Sequence, residues 1–133
     1  LAPNGEDYGD LNNYSVVLRL TYGEDSFLFT GDAEEASEEE MLSLDWPLTA
    51  TVLKCGHHGS ETSTSPAFLD AVSPQYAVIS CGVDNDYGHP DAVTLEKLEA
   101  AGAEVFRTDL QGTILASTDG SGVTMTALGK AEE

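Results

Sequence analysis

The apolar residues of this chain fall in short runs separated by turns rich in glycine, asparagine, aspartate and proline. Runs of this kind predict strands, whereas longer stretches bounded by capping residues predict helices. The predicted strands are residues 14–20, 26–30, 48–54, 75–80, 104–107, 112–117 and 123–125, and the predicted helices are residues 33–44, 66–72 and 92–101. This order indicates a mixed α/β fold.

Turn and capping residues mark the ends of these elements. The first two strands are predicted to pair as a hairpin around a turn at residues 22–25. Ser65 and Pro66 suit the N-cap and first position of the second helix, and Gly102 suits the C-terminal cap of the third. Residues 1–10 and 129–133 are expected to be a loose lead-in and a flexible tail.

The length and charge of the chain limit its possible functions. With 133 residues it can form one domain, or one half of a larger one. Twenty-four acidic and five basic residues give a formal net charge of −19, which argues against general binding to nucleic-acid phosphates. High solubility, or a saline or extracellular habitat, would also account for this charge. The chain begins without an initiator methionine or a signal peptide, so we expect it to be a segment of a longer protein.

The two cysteines, Cys55 and Cys81, do not form a disulfide framework. Each follows an apolar run, so the thiols could be close if the two strands are neighbours. Two buried, free thiols are the favoured interpretation.

Three polar clusters follow predicted strands, and together they hold every histidine of the chain. They are Thr30-Gly31-Asp32, the His57-His58-Gly59-Ser60 end of a longer segment, and Tyr87-Gly88-His89-Pro90. Carboxylate and imidazole groups at strand ends are the components of hydrolytic metal sites. The sequence therefore predicts a metal-dependent hydrolytic site.

Each cluster also has a simpler interpretation. Asp32 could bind a metal ion or simply cap the following helix. His57 and His58 could be surface histidines, and on an extended segment their side chains would point in opposite directions, so they would not bind one metal equivalently. His89 could donate a proton to a leaving group, contact a phosphate, or be an ordinary loop histidine. The hydroxyl-rich stretch from Ser60 onwards is typical of a helix entry, and no serine is marked as a nucleophile.

The motifs, in this order, resemble the C-terminal part of the metallo-β-lactamase-fold hydrolase domain of ComEC-type competence (DNA-uptake) proteins and their soluble relatives. The matching segments are residues 12–18, 27–32, 52–60, 79–82 and 85–90, and the resemblance runs from about Asn12 to about Ile114. It implies one half of an αββα sandwich, with a mixed β-sheet and flanking helices, as a single partial domain over residues 1–133. It also implies one or two divalent metal ions in the intact protein, zinc first and manganese second.

The resemblance further implies a role for each site residue. Asp32 would be the carboxylate that bridges the metal ions, and His58 a histidine ligand. His57 and His89 would act as catalytic residues near the departing group. The remaining matched residues, Asn12, Asn13, Ser60 and Tyr87, would contact the substrate, with Asn12 or Asn13 as a further possible ligand.

One departure from the family pattern is clear. The main metal motif, His-x-His-x-Asp-His, is absent, since no histidine precedes His57. A catalytic zinc usually has three protein ligands, so we expect the chain alone to be inactive and its partner to be the missing N-terminal half of the domain. Self-association through the exposed half-interface is a further expectation. The parent protein would be bacterial, and either membrane-associated on the extracytoplasmic face or secreted.

Three functions therefore remain open. The parent could be a nuclease-like hydrolase of phosphodiesters linked to DNA uptake, or a secreted hydrolase of small esters. It could instead be a non-catalytic scaffold with a degenerate metal site. An acidic calcium-binding module, suggested by Asp84, Asn85 and Asp86, lacks a recognisable calcium loop with a distal bidentate glutamate.

Overall fold

A five-stranded mixed sheet lies at the centre of the fold in the computed structural model, which describes residues 1–129. Its strands, in spatial order, are β1 (Leu18–Tyr22), β2 (Asp25–Phe29), β3 (Val52–Lys54), β4 (Tyr76–Ile79) and β5 (Glu104–Arg107). β1 runs antiparallel to β2, and β2 to β5 are parallel. The helices are α1 (Glu35–Ser43), α2 (Pro66–Val72), α3 (Ala92–Ala100) and α4 (Thr108–Gln111), and a separate hairpin contains β6 (Ile114–Thr118) and β7 (Val123–Ala127). The predicted α/β class is confirmed.

One face of the sheet is buried against the helices. The strand register places Leu28, Leu53 and Ala77 side by side on this face, and all three are fully or almost fully buried. They belong to one hydrophobic core with side chains of α1, α2 and α3, which include Met41, Phe68 and Leu98. Burial of these apolar side chains supplies the main driving force for folding.

The opposite face of the sheet is apolar and incompletely covered. Leu20 and Phe27 are paired across β1 and β2 on this face, and Val52 and Val78 continue it. Together with Ile114 of β6 they line a cavity of about 500 Å³ between the sheet and the β6–β7 hairpin. A sheet with helices on one face and an open apolar second face has the form of half a sandwich.

The predicted boundaries of the first strand are wrong. Residues Leu11–Tyr14 form a short 3-10 turn, in which the Asp10 side chain accepts a hydrogen bond from the backbone N–H of Asn12. This local bond favours a turn over strand at residues 11–14. The ladder with β2 begins at Leu18, which pairs with Phe29, the last residue of β2. The hairpin turn is correspondingly tighter than predicted, because Tyr22 pairs directly with Asp25.

Two other parts of the chain differ from the predicted elements. Strand β3 contains only Val52–Lys54, although the preceding Leu48 and Ala50 are buried as irregular backbone. The four-residue helix α4 was not predicted. By contrast, Ser65 accepts a hydrogen bond from the N–H of Phe68, and Pro66 is the first residue of α2, as predicted.

The lead-in segment contacts the sheet. Ala2 is buried and forms a β-bridge with Val17, whose carbonyl also accepts a hydrogen bond from the Leu1 amino group. Of the expected tail, residues 130–133 lie outside the described part of the chain. No helix within residues 1–129 combines the length and apolar character required to cross a membrane.

Candidate functional site

The predicted site residues meet at one edge of the sheet. Asp32 follows β2, His57 and His58 follow β3, and the loop after β4 carries Tyr87 and His89. Because β2, β3 and β4 are parallel and adjacent, their carboxyl ends lie at the same edge, which is where α/β proteins usually bind ligands. These five residues line a cleft of about 210 Å³.

His58 and Asp32 form the pair best suited to bind a metal ion. Nε2 of His58 lies 3.5 Å from Oδ1 of Asp32, and both side chains are substantially exposed to solvent. Nδ1 of His58 lies 2.8 Å from the carbonyl oxygen of Ser80. A carbonyl can only accept a hydrogen bond, so this contact places the proton on Nδ1 and leaves Nε2 free as a ligand.

His57 is held by a glutamate that the sequence interpretation missed. Oε1 of Glu34 accepts a hydrogen bond from Nδ1 of His57 at 3.0 Å, and also contacts Thr62 Oγ1 at 3.0 Å and Asn12 Nδ2 at 3.2 Å. In the sequence Glu34 appears as one of several glutamates in an acidic helix. Its position just before α1, two residues after Asp32, is the only feature that could have indicated this role.

The backbone of the two adjacent histidines is not extended, so the prediction of oppositely directed side chains on a strand is wrong. His57 and His58 have φ values of 45° and 56°, in the left-handed region that non-glycine residues rarely adopt. Their rings have centroids 6.2 Å apart. The turn therefore directs both rings into the same cleft, and strained backbone of this type is concentrated at functional sites.

Gly59 brings the third cluster against the second. It has a φ of +84°, and a Cβ at this position would lie only 2.7 Å from Cβ of Pro90. Its carbonyl oxygen accepts a hydrogen bond from the N–H of Asp91. A side chain at residue 59 would therefore separate the His89 loop from the turn that carries His57.

His89 lies beside His57 and Tyr87. Its ring centroid is 5.6 Å from that of His57, and its ring stacks on that of Tyr87 with centroids 5.8 Å apart and an interplanar angle of 11°. Nδ1 of His89 is buried without a hydrogen-bond partner, and the nearest carboxylate oxygen, Oδ2 of Asp91, is 3.6 Å away. An unsatisfied buried ring nitrogen is unusual and is typical of sites that bind or react.

Not all of the predicted substrate-contacting residues lie in the cleft. Asn13 is buried, and its side-chain oxygen accepts hydrogen bonds from the N–H groups of Glu34 and Ser37 at the start of α1. Ser60 is also buried and bonds to Thr62. Both side chains therefore have structural contacts, whereas Tyr87 lines the cleft and Asn12 donates a hydrogen bond to Glu34, the residue that holds His57.

Burial shifts the pKa values of three neighbouring groups. Desolvation lowers the pKa of Lys54, whose ammonium group donates to the Cys55 carbonyl, although the nearby Asp32 opposes the shift. Desolvation raises the pKa of Cys55 to about 12. Desolvation also raises the pKa of Cys81, together with its contact to Asp109. Both cysteines are free, Cys55 buried and Cys81 partly exposed, so neither is an activated nucleophile.

The metal-binding potential of the cleft is incomplete within the described chain. Residues 1–129 contain no group of three or more histidine, cysteine, aspartate or glutamate side chains arranged to hold a metal ion. The Asp32–His58 pair fits two ligand positions, and a catalytic zinc usually takes three from protein. The remaining ligands would have to come from outside this part of the chain.

Comparison with known proteins places the chain in a family. The family model of the metallo-β-lactamase superfamily matches residues 3–83. The chain belongs to this superfamily, whose members generally bind divalent metal ions.

Named relatives confirm the resemblance to competence proteins. The chain is 40% identical to ComE operon protein 3 of Bacillus subtilis (strain 168) over 114 residues, which cover 86% of the chain and 15% of that protein. It is 42% identical to Competence protein ComA of Neisseria gonorrhoeae over 115 residues, which cover 86% of the chain and 17% of that protein. Recombination protein 2 of Haemophilus influenzae is 36% identical over 103 residues, with 77% of the chain and 13% of that protein covered. The chain thus spans about a sixth of the length of these relatives, or less.

Proposed function

We propose that this chain forms one side of the active site of a divalent-metal-dependent hydrolase that cleaves phosphodiester or related ester bonds. The observation that carries the proposal is the Asp32–His58 pair, with its free Nε2 atom, at the edge of the sheet beside two further histidines. Membership of the metallo-β-lactamase superfamily supports a hydrolase. The competence proteins among its relatives support a nuclease-like role in DNA uptake.

Each residue of the cleft has its own role in the proposed reaction. Asp32 and His58 would hold the metal ion, zinc first and manganese second. A divalent metal at such a site supplies an activated hydroxide at neutral pH and polarises the ester. His57, oriented by Glu34, and His89 hold and transfer protons at the departing oxygen. Tyr87, in the wall of the cleft, and Asn12, bonded to Glu34, would contact the substrate.

The other half of the domain completes this site in our proposal. The open face of the sheet exposes large apolar side chains, among them Leu18, Leu20 and Phe29, each of which is more than 40% exposed. An apolar surface of this kind normally marks an interface. Because the matched relatives are several times longer than the chain, we assign this face to the preceding half of the same domain, which would also provide the missing metal ligands. The chain alone is then inactive.

Light scattering on the isolated chain tests the occupant of this face. If no partner half is present, the apolar face should drive concentration-dependent self-association. Addition of a separately expressed preceding segment should return the sample to a one-to-one complex. A chain that remains monomeric at high concentration and ignores the added segment would contradict this part of the proposal.

A second candidate is supported by the charge of the chain. A net charge of −19 disfavours a general grip on the DNA backbone, so a secreted hydrolase of small esters fits the acidity better. A non-catalytic scaffold is disfavoured because Asp32, His57, His58 and His89 all line one cleft. The position of these four side chains in one cleft has no evident role in packing of the core.

A cleavage assay separates these candidates. The protein that contains this chain is incubated with single-stranded DNA, bis-p-nitrophenyl phosphate or a carboxylic ester, with zinc, manganese or a chelator. Metal-dependent DNA cleavage that is lost in His58→Ala and kept in the exposed Trp46→Leu variant supports the nuclease. Cleavage of small esters alone supports the second candidate, and no metal-dependent cleavage of any substrate contradicts both.

A further inference from the structure

A second, mostly apolar cavity of about 190 Å³ adjoins the catalytic cleft. It is lined by His58, Cys81, Gly82, Asn85, Tyr87 and His89. His58, Tyr87 and His89 also line the first cleft, so the two spaces share a wall. A group of the substrate bound in this side pocket would therefore lie next to the part of the substrate that reacts beside Asp32 and His58.

The wall between the two spaces includes an aromatic ring that is presented to solvent. Tyr87 is 82% exposed, although its ring stacks on His89. Exposure of so large an aromatic ring in this chain gains little for stability, because its apolar surface stays in water. An exposed ring with one partner already stacked is suited to receive a second flat group.

The loop that carries Tyr87 is held in one shape. The Asn85 side chain donates to the carbonyl oxygens of Gly82 and His89, at 3.0 Å and 2.6 Å, and accepts from the N–H of His89 at 3.0 Å. The N–H of Gly88 bonds to the Asn85 carbonyl. The ring is thus presented by a preorganised loop, which lowers the entropy cost of binding a ligand.

The walls that this chain contributes to the two spaces offer no cationic contact to a phosphate backbone. Within the described residues, neither space is lined by a lysine or an arginine. The described cations have other contacts, for example Lys97 with the carbonyls of Glu61 and Ser63, and Arg107 with Asp109. On this side of the site, contacts to an anionic substrate would therefore come from the metal ion and from uncharged groups.

We propose that the side pocket between Tyr87 and Gly82 binds an unpaired nucleobase next to the scissile phosphodiester, so that the enzyme acts on single-stranded nucleic acid. This inference rests on the proposed function. A base inside a duplex has both faces stacked on its neighbours and cannot reach such a pocket without leaving the helix. Stacking on an aromatic side chain is tolerant of sequence, so the pocket would select strandedness and not a particular base.

The test measures binding directly and without metal. A single-stranded trinucleotide with a central 2-aminopurine is titrated, in the presence of a chelator, into the protein that contains this chain. Stacking is followed as quenching of the 2-aminopurine fluorescence. We expect Tyr87→Leu to weaken binding about 5- to 150-fold, which corresponds to the usual strength of base–aromatic stacking. Tyr87→Phe retains the ring and should bind like the wild type.

Two further variants define the pocket. A Cβ at Gly82 would have Asn85 Cβ as its nearest neighbour, at 3.8 Å, so Gly82→Leu can fill the pocket without disturbing the backbone and should block quenching. Trp46→Leu, at an exposed aromatic residue beyond the far end of α1, is the matched control and should have no effect.

The salt dependence of binding is a separate test. Binding of the trinucleotide should not weaken as the salt concentration increases, whereas binding through contacts to phosphates would weaken steeply.

Competition by other ligands identifies the source of the flat group. A duplex containing the same base should not compete, and an abasic trinucleotide should bind as weakly as the Tyr87→Leu variant binds the intact one. The proposal would be overturned if p-nitrophenyl phosphate competed as strongly as the unlabelled trinucleotide. It would also be overturned if the abasic trinucleotide bound as tightly as the intact one. Tyr87-dependent quenching without any metal-dependent cleavage would contradict the proposed hydrolase and support the base pocket. Metal-dependent cleavage that neither Tyr87→Leu nor Gly82→Leu affects would support the hydrolase and contradict the base pocket.

Discussion

Oε1 of Glu34 lies 3.0 Å from Nδ1 of His57, and the two residues come from the loops after two adjacent parallel strands. The bond fixes the orientation of the ring, which lines the cleft, and leaves Nε2 of His57 free of this contact. The Glu34 side chain makes no capping bond to α1, although it occupies the N-cap position. The Glu34 carboxylate therefore contacts His57 in the candidate site and does not cap the helix.

Replacement of Glu34 by alanine should reduce catalysis with little effect on folding. Loss of a group that orients an active-site histidine usually costs roughly 10- to 100-fold in activity. We expect a loss of this size in kcat/KM for phosphodiester cleavage by the protein that contains the chain. The neighbouring Glu35 is exposed on α1, so Glu35→Ala is the matched control. Equal activities of the two variants would show that the Glu34–His57 bond has no catalytic role.

Replacement of Gly59 by alanine should destabilise the fold and displace the His89 loop. The new Cβ would lie 2.7 Å from Pro90 in addition to occupying a left-handed conformation, so we expect a loss of about 2–4 kcal/mol in the free energy of unfolding. Gly102 has a similar φ of +76° with open space around it, and Gly102→Ala should cost only about 1 kcal/mol. Urea denaturation measures both values. A Gly59→Ala variant no less stable than Gly102→Ala would contradict the close approach.

Glu38 should make the stability of the chain depend on pH. Its buried carboxylate accepts hydrogen bonds from the N–H groups of Thr64 and Ser65 at the entry to α2. Glutamine can offer an acceptor to only one of them, so Glu38→Gln should cost about 1–3 kcal/mol in the free energy of unfolding. The exposed Glu39→Gln is the control and should be neutral.

The sign of the pH effect follows from the direction of the shift. Burial raises the pKa of Glu38 above its ordinary value of 4.5, against the lowering effect of the two backbone hydrogen bonds. The native state therefore holds its proton to higher pH than the unfolded state does, and the stability from this group is complete below pH 4.5 and is lost as pH rises through the folded pKa. The difference in unfolding free energy between wild type and Glu38→Gln should shrink over that range. A difference that grows with pH would show that the carboxylate is ionised more easily in the native state.

The two thiols should differ in reactivity. Cys55 is fully buried, and burial raises its pKa to about 12, whereas Cys81 is partly exposed and its pKa is raised by desolvation and by its contact to Asp109. A thiol reagent at neutral pH should therefore modify Cys81 slowly and Cys55 only after denaturation. Mass spectrometry of the native protein, with Cys81→Ser as the control, measures this. Rapid modification of Cys55 in the native protein would contradict the burial of this residue directly after β3.

The sequence predicted that the polar clusters follow strands, and the structure adds that these strands are parallel neighbours in the sheet. Asp32 and His58 follow buried strands, and the parallel arrangement of those strands brings their ends to one edge. The same local rules identified Ser65 and Pro66 at the start of α2, where the capping chemistry is contained in adjacent residues.

The features that could not be predicted depend on tertiary contacts. The role of Glu34 requires that the loop after β2 lies against the turn after β3, and nothing in its local sequence shows this. The left-handed backbone of His57 and His58 is likewise imposed by its surroundings, since their residue types favour other conformations. The 3-10 turn at residues 11–14 is capped by the Asp10 side chain, and the start of β1 at Leu18 coincides with its pairing to the last residue of β2.

The most direct test of the account is a calorimetric titration with zinc and with manganese. It compares the isolated chain, the longer protein that contains it, and the His58→Ala variant of each, with Trp46→Leu as the control. We predict tight binding by the longer protein, at least roughly 100-fold weaker binding in its His58→Ala variant, and only weak, His58-dependent binding by the isolated chain. Binding by the longer protein that is unaffected by His58→Ala, or no binding of either metal, would contradict the claim that Asp32 and His58 form half of a hydrolytic metal site.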